Sequence, residues 1–270
     1  MIQLFLSIVI PAYNEAQRIG RTLEKIRAFV ESRRYAAELI AVEDGSSDTT
    51  GEILCRAAAA WPAVRVLSNG VNRGKGLSVR RGVLAARGEY VLLTDADLST
   101  PIEELDRLFP ALDKAHAAAA VGSRALRRDW VGKRQSWFRE FAGRGFNRMV
   151  RLSTSLPIHD TQCGFKLYRR SAVLRAFEIQ RSTGFGFDAE VLFHIVRLGG
   201  RVVEVPVRWD NDPATKVRLL RDPALMLLDL IRLRWRVWTG AYDAAPSVTA
   251  PTPHTGSRRS EAGSHGQSLS

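Results

Sequence analysis

Cysteine is scarce in this chain: Cys55 and Cys163 are the only two in 270 residues. That supply excludes a disulfide scaffold and fits a reducing compartment. Long apolar runs are also missing. No stretch approaches the roughly 18 uninterrupted apolar residues that suggest a membrane-spanning helix. The apolar start, residues 4–10, has no basic leader and runs into Pro11, so it reads as a buried strand rather than a signal peptide. The His and Cys residues show no zinc-type spacing. No GxGxxG follows a strand-like segment, which argues against an NAD or FAD site. Gly70 to Gly74 has the wrong spacing for a Walker A loop, and Gly76 stands where Ser or Thr should be. Acids are in deficit as well: 28 Asp+Glu face 40 Lys+Arg, a formal net charge of +12.

What is present is ordinary globular material, 45% hydrophobic and 25% charged. The positive excess is concentrated. Residues 124–151 hold nine Lys/Arg against two acids, and residues 216–238 hold six against two. A polyanionic partner is expected there: a phosphorylated substrate, an anionic membrane or a nucleic acid.

The first 123 residues alternate strand-like and helix-like segments. Strands are expected at 4–10, 38–42, 64–68, 90–94 and 117–122. Helices are expected at 15–32, 49–60, 76–86 and 101–115. The last of these carries start signals: Thr100 with Glu103 as a capping box, and Pro101 at the first helical position. Repeated β-α-β units imply an α/β fold, Rossmann-like, with a mostly parallel sheet flanked by helices. Beyond Gly122 the rhythm breaks. Strands are expected at 164–169 and 202–207, and helices at 187–198 and 222–238, the last basic and amphipathic. One domain over 1–240 is expected, with a ligand-binding half 1–123, a basic half 124–240 and a disordered tail 244–270 rich in Ser, Thr, Pro and Gly.

In open α/β sheets ligands bind beyond the carboxyl ends of the strands. The segments that follow the first four strands are all polar, acidic or turn-forming. The sharpest is Asp95-Ala96-Asp97. Two carboxylates on one strand exit suit a hard divalent cation, Mg²⁺ or Mn²⁺, bridging to a diphosphate. Asp44 follows the second strand, where a carboxylate can meet a nucleobase or ribose. Lys75, between Gly74 and Gly76, is a candidate for base or phosphate, or a plain loop lysine. Cys163 reads as a packed thiol.

SIVIPAYNEAQRI, VEDGSSDTT, NRGKGLSVRRG and YVLLTDADLSTP together resemble the glycosyltransferase family 2 enzymes of GT-A fold. DTQCGFKLYRR and GFDAEVLF look like the branch that glucosylates dolichyl or other polyprenyl phosphates. The resemblance spans roughly residues 4–240. It implies that Pro11, Tyr13 and Glu15 line the nucleotide pocket, with Asp44 at the base or ribose. It implies a DXD pair in Asp95 and Asp97, with Asp97 the principal metal ligand. Ser99 stands where related mannosyl enzymes have a metal-binding Gln. Arg124 matches an arginine that meets phosphate near the reaction centre, and Lys216 and Arg218 lie in a loop closing over the donor diphosphate. The family commonly has Asp-Asp where this chain has Glu43-Asp44.

The expected reaction is inverting transfer of a hexose, glucose from UDP-glucose, from a nucleotide-sugar donor to a polyprenyl phosphate. A GDP-mannose-dependent mannosyl transfer, or a hydroxyl acceptor, is the alternative. A hydroxyl acceptor requires a carboxylate base, for which Asp160 and Asp188 are the candidates. The non-enzymatic rival is a basic membrane- or RNA-binding module. Residues 124–155 interleave arginine with Trp130, Trp137, Phe138, Phe141 and Phe146. With a DXD site nearby, that pattern points to an anionic membrane surface rather than nucleic acid. A cytoplasmic protein, peripheral on the inner face of the membrane, is expected.

Overall fold

A computed structural model describes residues 4–127, 156, 158–210 and 221–242. Seven strands form one sheet: β1 (Leu6–Ala12), β2 (Ala37–Glu43), β3 (Val64–Ser68), β4 (Tyr90–Leu93), β5 (Ala119–Ser123), β6 (Lys166–Arg169) and β7 (Val202–Pro206). Their order is β3-β2-β1-β4-β6-β5-β7. All neighbouring pairs are parallel except those made by β6, which runs antiparallel to both β4 and β5.

The helices are α1 (Ile19–Arg33), α2 (Thr50–Ala60), α3 (Lys75–Ala85), α4 (Leu105–Lys114), α5 (Arg170–Ile179), α6 (Phe187–Arg197) and α7 (Arg221–Trp238). They cover both sheet faces, and so the strands are apolar nearly throughout. Side chains alternate between the two layers. Leu6, Ile8, Ile10, Leu39 and Ala41 join one core, whereas Val9, Ile40, Val42, Val91 and Leu93 join the other. The β1 register against β2 and β4 therefore has no freedom to slip, because a one-residue shift would exchange the two cores.

Three expectations are corrected in detail. The first helix begins at Ile19, not residue 15. Asn14 adopts φ 53°, and the Glu15 and Ala16 N–H groups donate to Thr50 Oγ1 (2.7 Å) and Asp48 Oδ2 (3.2 Å). Those bonds fasten the loop after β1 to the loop after β2 before the helix starts. The Thr100–Glu103 capping box is absent. Pro101 is extended, and a 3-10 turn at Ile102–Glu104 leads into α4 without a side-chain cap. The following acid, Glu104, is buried instead and pairs with Arg107 and Arg208. Helix α5 was not expected at all. Its strand-to-helix junction at Arg169–Arg170 carries no turn residue to announce it.

The chain passes from β1 outward to β2 and β3, then returns to place β4 on the other side of β1. This reversal opens a crevice above the carboxyl ends of β1 and β4, the usual ligand position in such sheets. Because β6 is antiparallel, the segment preceding it arrives at that same edge. Residues 158–165 thus face the loops that follow β4 and β5, where Gly164 meets Asp95 and Asp160 meets Arg124.

Candidate active site

The loop after β4 carries Asp95 and Asp97. Its backbone is anchored by Thr22 of α1, whose hydroxyl donates to the Ala96 carbonyl (2.6 Å). The Ser99 N–H donates to Asp97 Oδ1 (2.9 Å), and the Ser99 carbonyl accepts from Asp210 N–H (2.8 Å). Asp95 remains 37% exposed, and its Oδ1 lies 2.7 Å from Lys75 Nζ. A Cβ on Gly164 would lie 2.0 Å from Asp95 Oδ2, so only glycine leaves that carboxylate its place.

The two carboxyls are driven apart electrostatically. For Asp95, burial pushes the pKa up, but Lys75, with Lys166 and Arg124, outweighs it and holds the group below its ordinary value. For Asp97, burial and then the Asp95 charge raise it. Lys75 is disfavoured as a cation by burial, yet Asp95, Asp188 and Asp97 outweigh this and raise its pKa.

The Asp95 and Asp97 oxygens fit a hard divalent cation, and a cation would relieve the repulsion that disfavours charge on Asp97. No group of three His, Cys, Asp or Glu suited to a metal occurs among the described residues.

Arg124 follows β5. Its backbone N–H (3.0 Å) and Nε (2.7 Å) donate to Asp160 Oδ2, and its Nη2 to Oδ1 (2.8 Å). The guanidinium lies 5.4 Å from the Trp209 ring centre. Burial opposes its charge, but Asp160 prevails, so the arginine stays protonated. Asp160 is itself fixed by Glu204, whose Oε1 accepts its N–H (2.8 Å). Lys166, at the start of β6, pairs with Asp188 at the start of α6 and donates to the Cys163 carbonyl (2.5 Å). Both side chains of that pair are buried. Burial raises the Asp188 pKa despite Lys166.

The Asp44 carboxylate is buried and holds the loop before α3. Its Oδ1 accepts from Asn69 Nδ2 (2.6 Å) and Arg73 N–H (2.9 Å), and its Oδ2 from Gly74 N–H (2.9 Å). Glu43 organises the turn after β2, accepting from Ser46 N–H and the Ser68 hydroxyl. Of the β1 group, Pro11 lies within the strand opposite Val42, Tyr13 is exposed, and Glu15 pairs with Arg18. The Arg18 charge also draws the Asp97 pKa down, against burial and Asp95.

The structure thus gathers Asp95, Asp97, Lys75, Arg124, Asp160 and Asp188 on one sheet edge, with Asp44 framing it. Lys216 and Arg218, and most of the basic segment 124–155, lie outside the described residues, as does the tail. Sequence reasoning assigned no role to Lys166, Arg18, Trp209 or Glu204. For Lys166 there was a signal: a lone lysine inside the apolar strand pattern Phe165–Lys166–Leu167.

The seven-stranded sheet with its flanking helices has the GT-A fold, as comparison with solved structures shows. Glucosyl-3-phosphoglycerate synthase from Mycobacterium tuberculosis, crystallised with Mn²⁺, UDP-glucose and phosphoglyceric acid, superposes with a TM-score of 0.60. It shares 19% identity, over 86% of this chain and 80% of that one. The sequence model of Glycosyl transferase family 2 matches residues 7–177. The chain belongs to that family and is a glycosyltransferase. Among curated relatives, the dolichyl-phosphate beta-glucosyltransferase of Drosophila melanogaster is 36% identical, covering 90% of this chain and 78% of its own. The Saccharomyces cerevisiae protein of the same name is 33% identical, covering 89% and 77%.

Proposed function

We propose that the protein transfers glucose from UDP-glucose to dolichyl phosphate or another polyprenyl phosphate, with inversion at the anomeric carbon. The observation that carries this reading is the Asp97–Asp95–Lys75 cluster at the β1/β4 crevice, facing the Arg124–Asp160 pair. The names of the relatives support the sugar and the acceptor.

On this reading Pro11, Tyr13 and Glu15 frame the nucleotide. Asp44 shapes the same wall by fixing the loop 69–74. Asp95 and Asp97 would hold Mg²⁺ or Mn²⁺, which when bound supplies charge stabilisation for the departing diphosphate. Lys75 adds a cation beside the same phosphates. Arg124, immobilised by Asp160 and Trp209, presents a permanent positive charge to the acceptor phosphate. A phosphate monoester with a second pKa near 6 is largely dianionic at neutral pH. It therefore needs positioning rather than a general base. Asp160 and Asp188 already sit in tight cation pairs, which favours a phosphate over a hydroxyl acceptor. We assign Asp160 to positioning Arg124.

Membrane association belongs to the same proposal. No described helix is long and apolar enough to cross a membrane. Helix α7 instead has two apolar stripes. Leu230 and Leu233 pack inward, whereas Leu227, Leu228, Ile231, Trp235 and Trp238 point outward, Trp235 61% and Trp238 84% exposed. At about 100° per residue, Arg232 and Arg234 fall on either side of the outward stripe. That pattern suits a helix lying in an anionic lipid interface.

The test is a transfer assay with Mn²⁺ or Mg²⁺, a short polyprenyl phosphate, and labelled UDP-glucose, UDP-GlcNAc and GDP-mannose offered separately. A lipid-soluble product from UDP-glucose alone is expected. Labelling from GDP-mannose would replace the sugar, and no lipid product from any donor would remove the acceptor.

A further inference from the structure

Glu190 lies on α6, bonded to none of the site residues by the contacts shown, and its side chain is 1% exposed. Three donors converge on it. The Arg181 N–H meets Oε1 (3.0 Å), the Ser182 N–H meets Oε2 (2.7 Å), and the Tyr242 hydroxyl meets Oε1 (2.6 Å). Tyr242 follows α7 and is itself buried, its ring against His194 (4.3 Å between centroids). Arg181 returns the contact, donating from Nη2 to the Ala241 carbonyl (2.7 Å). One carboxylate thus joins the segment after α7 to residues 181–182.

Those residues lead directly to Lys75. The Gly76 N–H donates to the Thr183 carbonyl (2.7 Å). Gln180 Nε2 donates to the Gly76 carbonyl (2.8 Å) and the Ser182 carbonyl (2.9 Å). The approach is too close for any side chain. A Cβ on Gly74 would lie 2.5 Å from the Thr183 carbonyl oxygen, and one on Gly76 would lie 2.6 Å from that of Ser182. The Phe185 ring sits 5.8 Å from Lys75 Nζ. Lys75 is the first residue of α3 and lies between these two glycines. Its position is therefore set by the backbone of residues 182–184, and that backbone is held by Glu190.

We propose that Glu190 is a positioning residue for Lys75 and that Tyr242 completes the clamp, so that the donor-side cation is in register only when the segment after α7 is seated. The inference rests on the reading of Lys75 as a donor-phosphate group. It supplies a physical link between the helix assigned to the membrane interface and the donor pocket. It also explains why the two glycines flank the lysine: any side chain there would push the loop off its support.

The test uses the full chain and a double-mutant cycle of Tyr242→Phe with Lys75→Ala, read as the dissociation constant for UDP-glucose with Mn²⁺ and as separate KM values for donor and acceptor. Phe keeps the buried ring and removes one hydrogen bond to a charged group, so donor affinity is expected to fall roughly tenfold. Acceptor KM should change little, whereas the melting temperature should fall by a few degrees, because the same buried bond also supports the fold. In the Lys75→Ala background the same substitution should cost almost nothing, because its effect passes through Lys75. Glu190→Gln should lower donor affinity in the same sense, and Glu190→Asp should recover part of it. Equal, additive losses in both backgrounds, or an equal loss on both substrates, would overturn the clamp while leaving Lys75 in place. If Lys75→Ala alone binds donor normally, the reading of Lys75 itself has failed and the clamp falls with it.

Discussion

Lys166 and Asp188 form an ion pair inside the protein, joining the first residue of β6 to the second residue of α6, with side chains 0% and 3% exposed. The pair ties the inserted antiparallel strand to the helix carrying Glu190, and the Lys166 charge also lowers the pKa of Asp95. It is structural and electrostatic at once. Its removal should therefore be felt in stability first.

Lys166→Met leaves a buried carboxylate without its cation, and an uncompensated partner of a buried pair costs about 3–5 kcal/mol. A urea midpoint well below wild type is expected, and adding Asp188→Leu should restore most of it. A single variant as stable as the parent would mean that water already reaches the pair.

Asp97→Asn should separate activity from stability. The native environment disfavours charge on Asp97, since burial and Asp95 raise its pKa. A carboxyl with a raised native pKa loses stability as it ionises, so neutralising it should leave the melting temperature unchanged or higher. The thermal shift on adding UDP-glucose and Mn²⁺, and glucosyl transfer, should both disappear. Retention of the metal-dependent shift would take Asp97 out of the metal site.

Glu190 predicts an acid limb. Burial alone would raise its pKa, but the His194 ring, the Tyr242 hydroxyl and the Ser182 N–H bring it down from 4.5 to about 2. The sign follows: an acid with a depressed native pKa contributes stability that is fully present above pH about 4.5 and is lost as pH falls towards 2. The contribution is of order 3 kcal/mol. Unfolding of Glu190→Gln followed by urea between pH 7 and 3 should depend less on pH than wild type, the two curves converging at the acid end. Parallel curves would show that Glu190 titrates normally.

The outward stripe of α7 predicts interfacial binding. Replacing Ile231 and Trp235 by Glu should lower partitioning onto anionic vesicles at least tenfold, roughly the removal of two buried apolar side chains from the interface. Melting should be nearly unchanged, because neither side chain supports the core. Wild-type binding should also weaken with salt. Undiminished sedimentation of the variant with vesicles would exclude α7 as the contact.

Local pattern made part of the site legible. Asp95 and Asp97 stand two apart on a strand exit, and an apolar strand followed by paired acids reads as a ligand site without any long-range knowledge. The helix of Ile19, Leu23, Ile26 and Val30 was equally visible from its spacing, and those four side chains are buried. Its starting residue was not visible, because Thr50 and Asp48 of another loop capture the Glu15 and Ala16 N–H groups. Asp44 illustrates the same limit. Its position after β2 was readable, but the loop it holds, 69–74, was not.

Periodicity and turn chemistry by themselves determined an α/β fold, the strand exits and the carboxylate pair, since each depends on neighbours a few residues apart. Family motifs added the glycosyltransferase class. Tertiary structure alone decided that β6 enters antiparallel, which carries Asp160, Gly164 and Lys166 to the same edge as Asp95 and Arg124. It alone decided that Lys75 rests on a backbone more than a hundred residues away in sequence, held by Glu190 and Tyr242. Strand direction and the partner of a buried charge are set by which surfaces close against each other across the whole fold, and no short stretch of sequence encodes that closure.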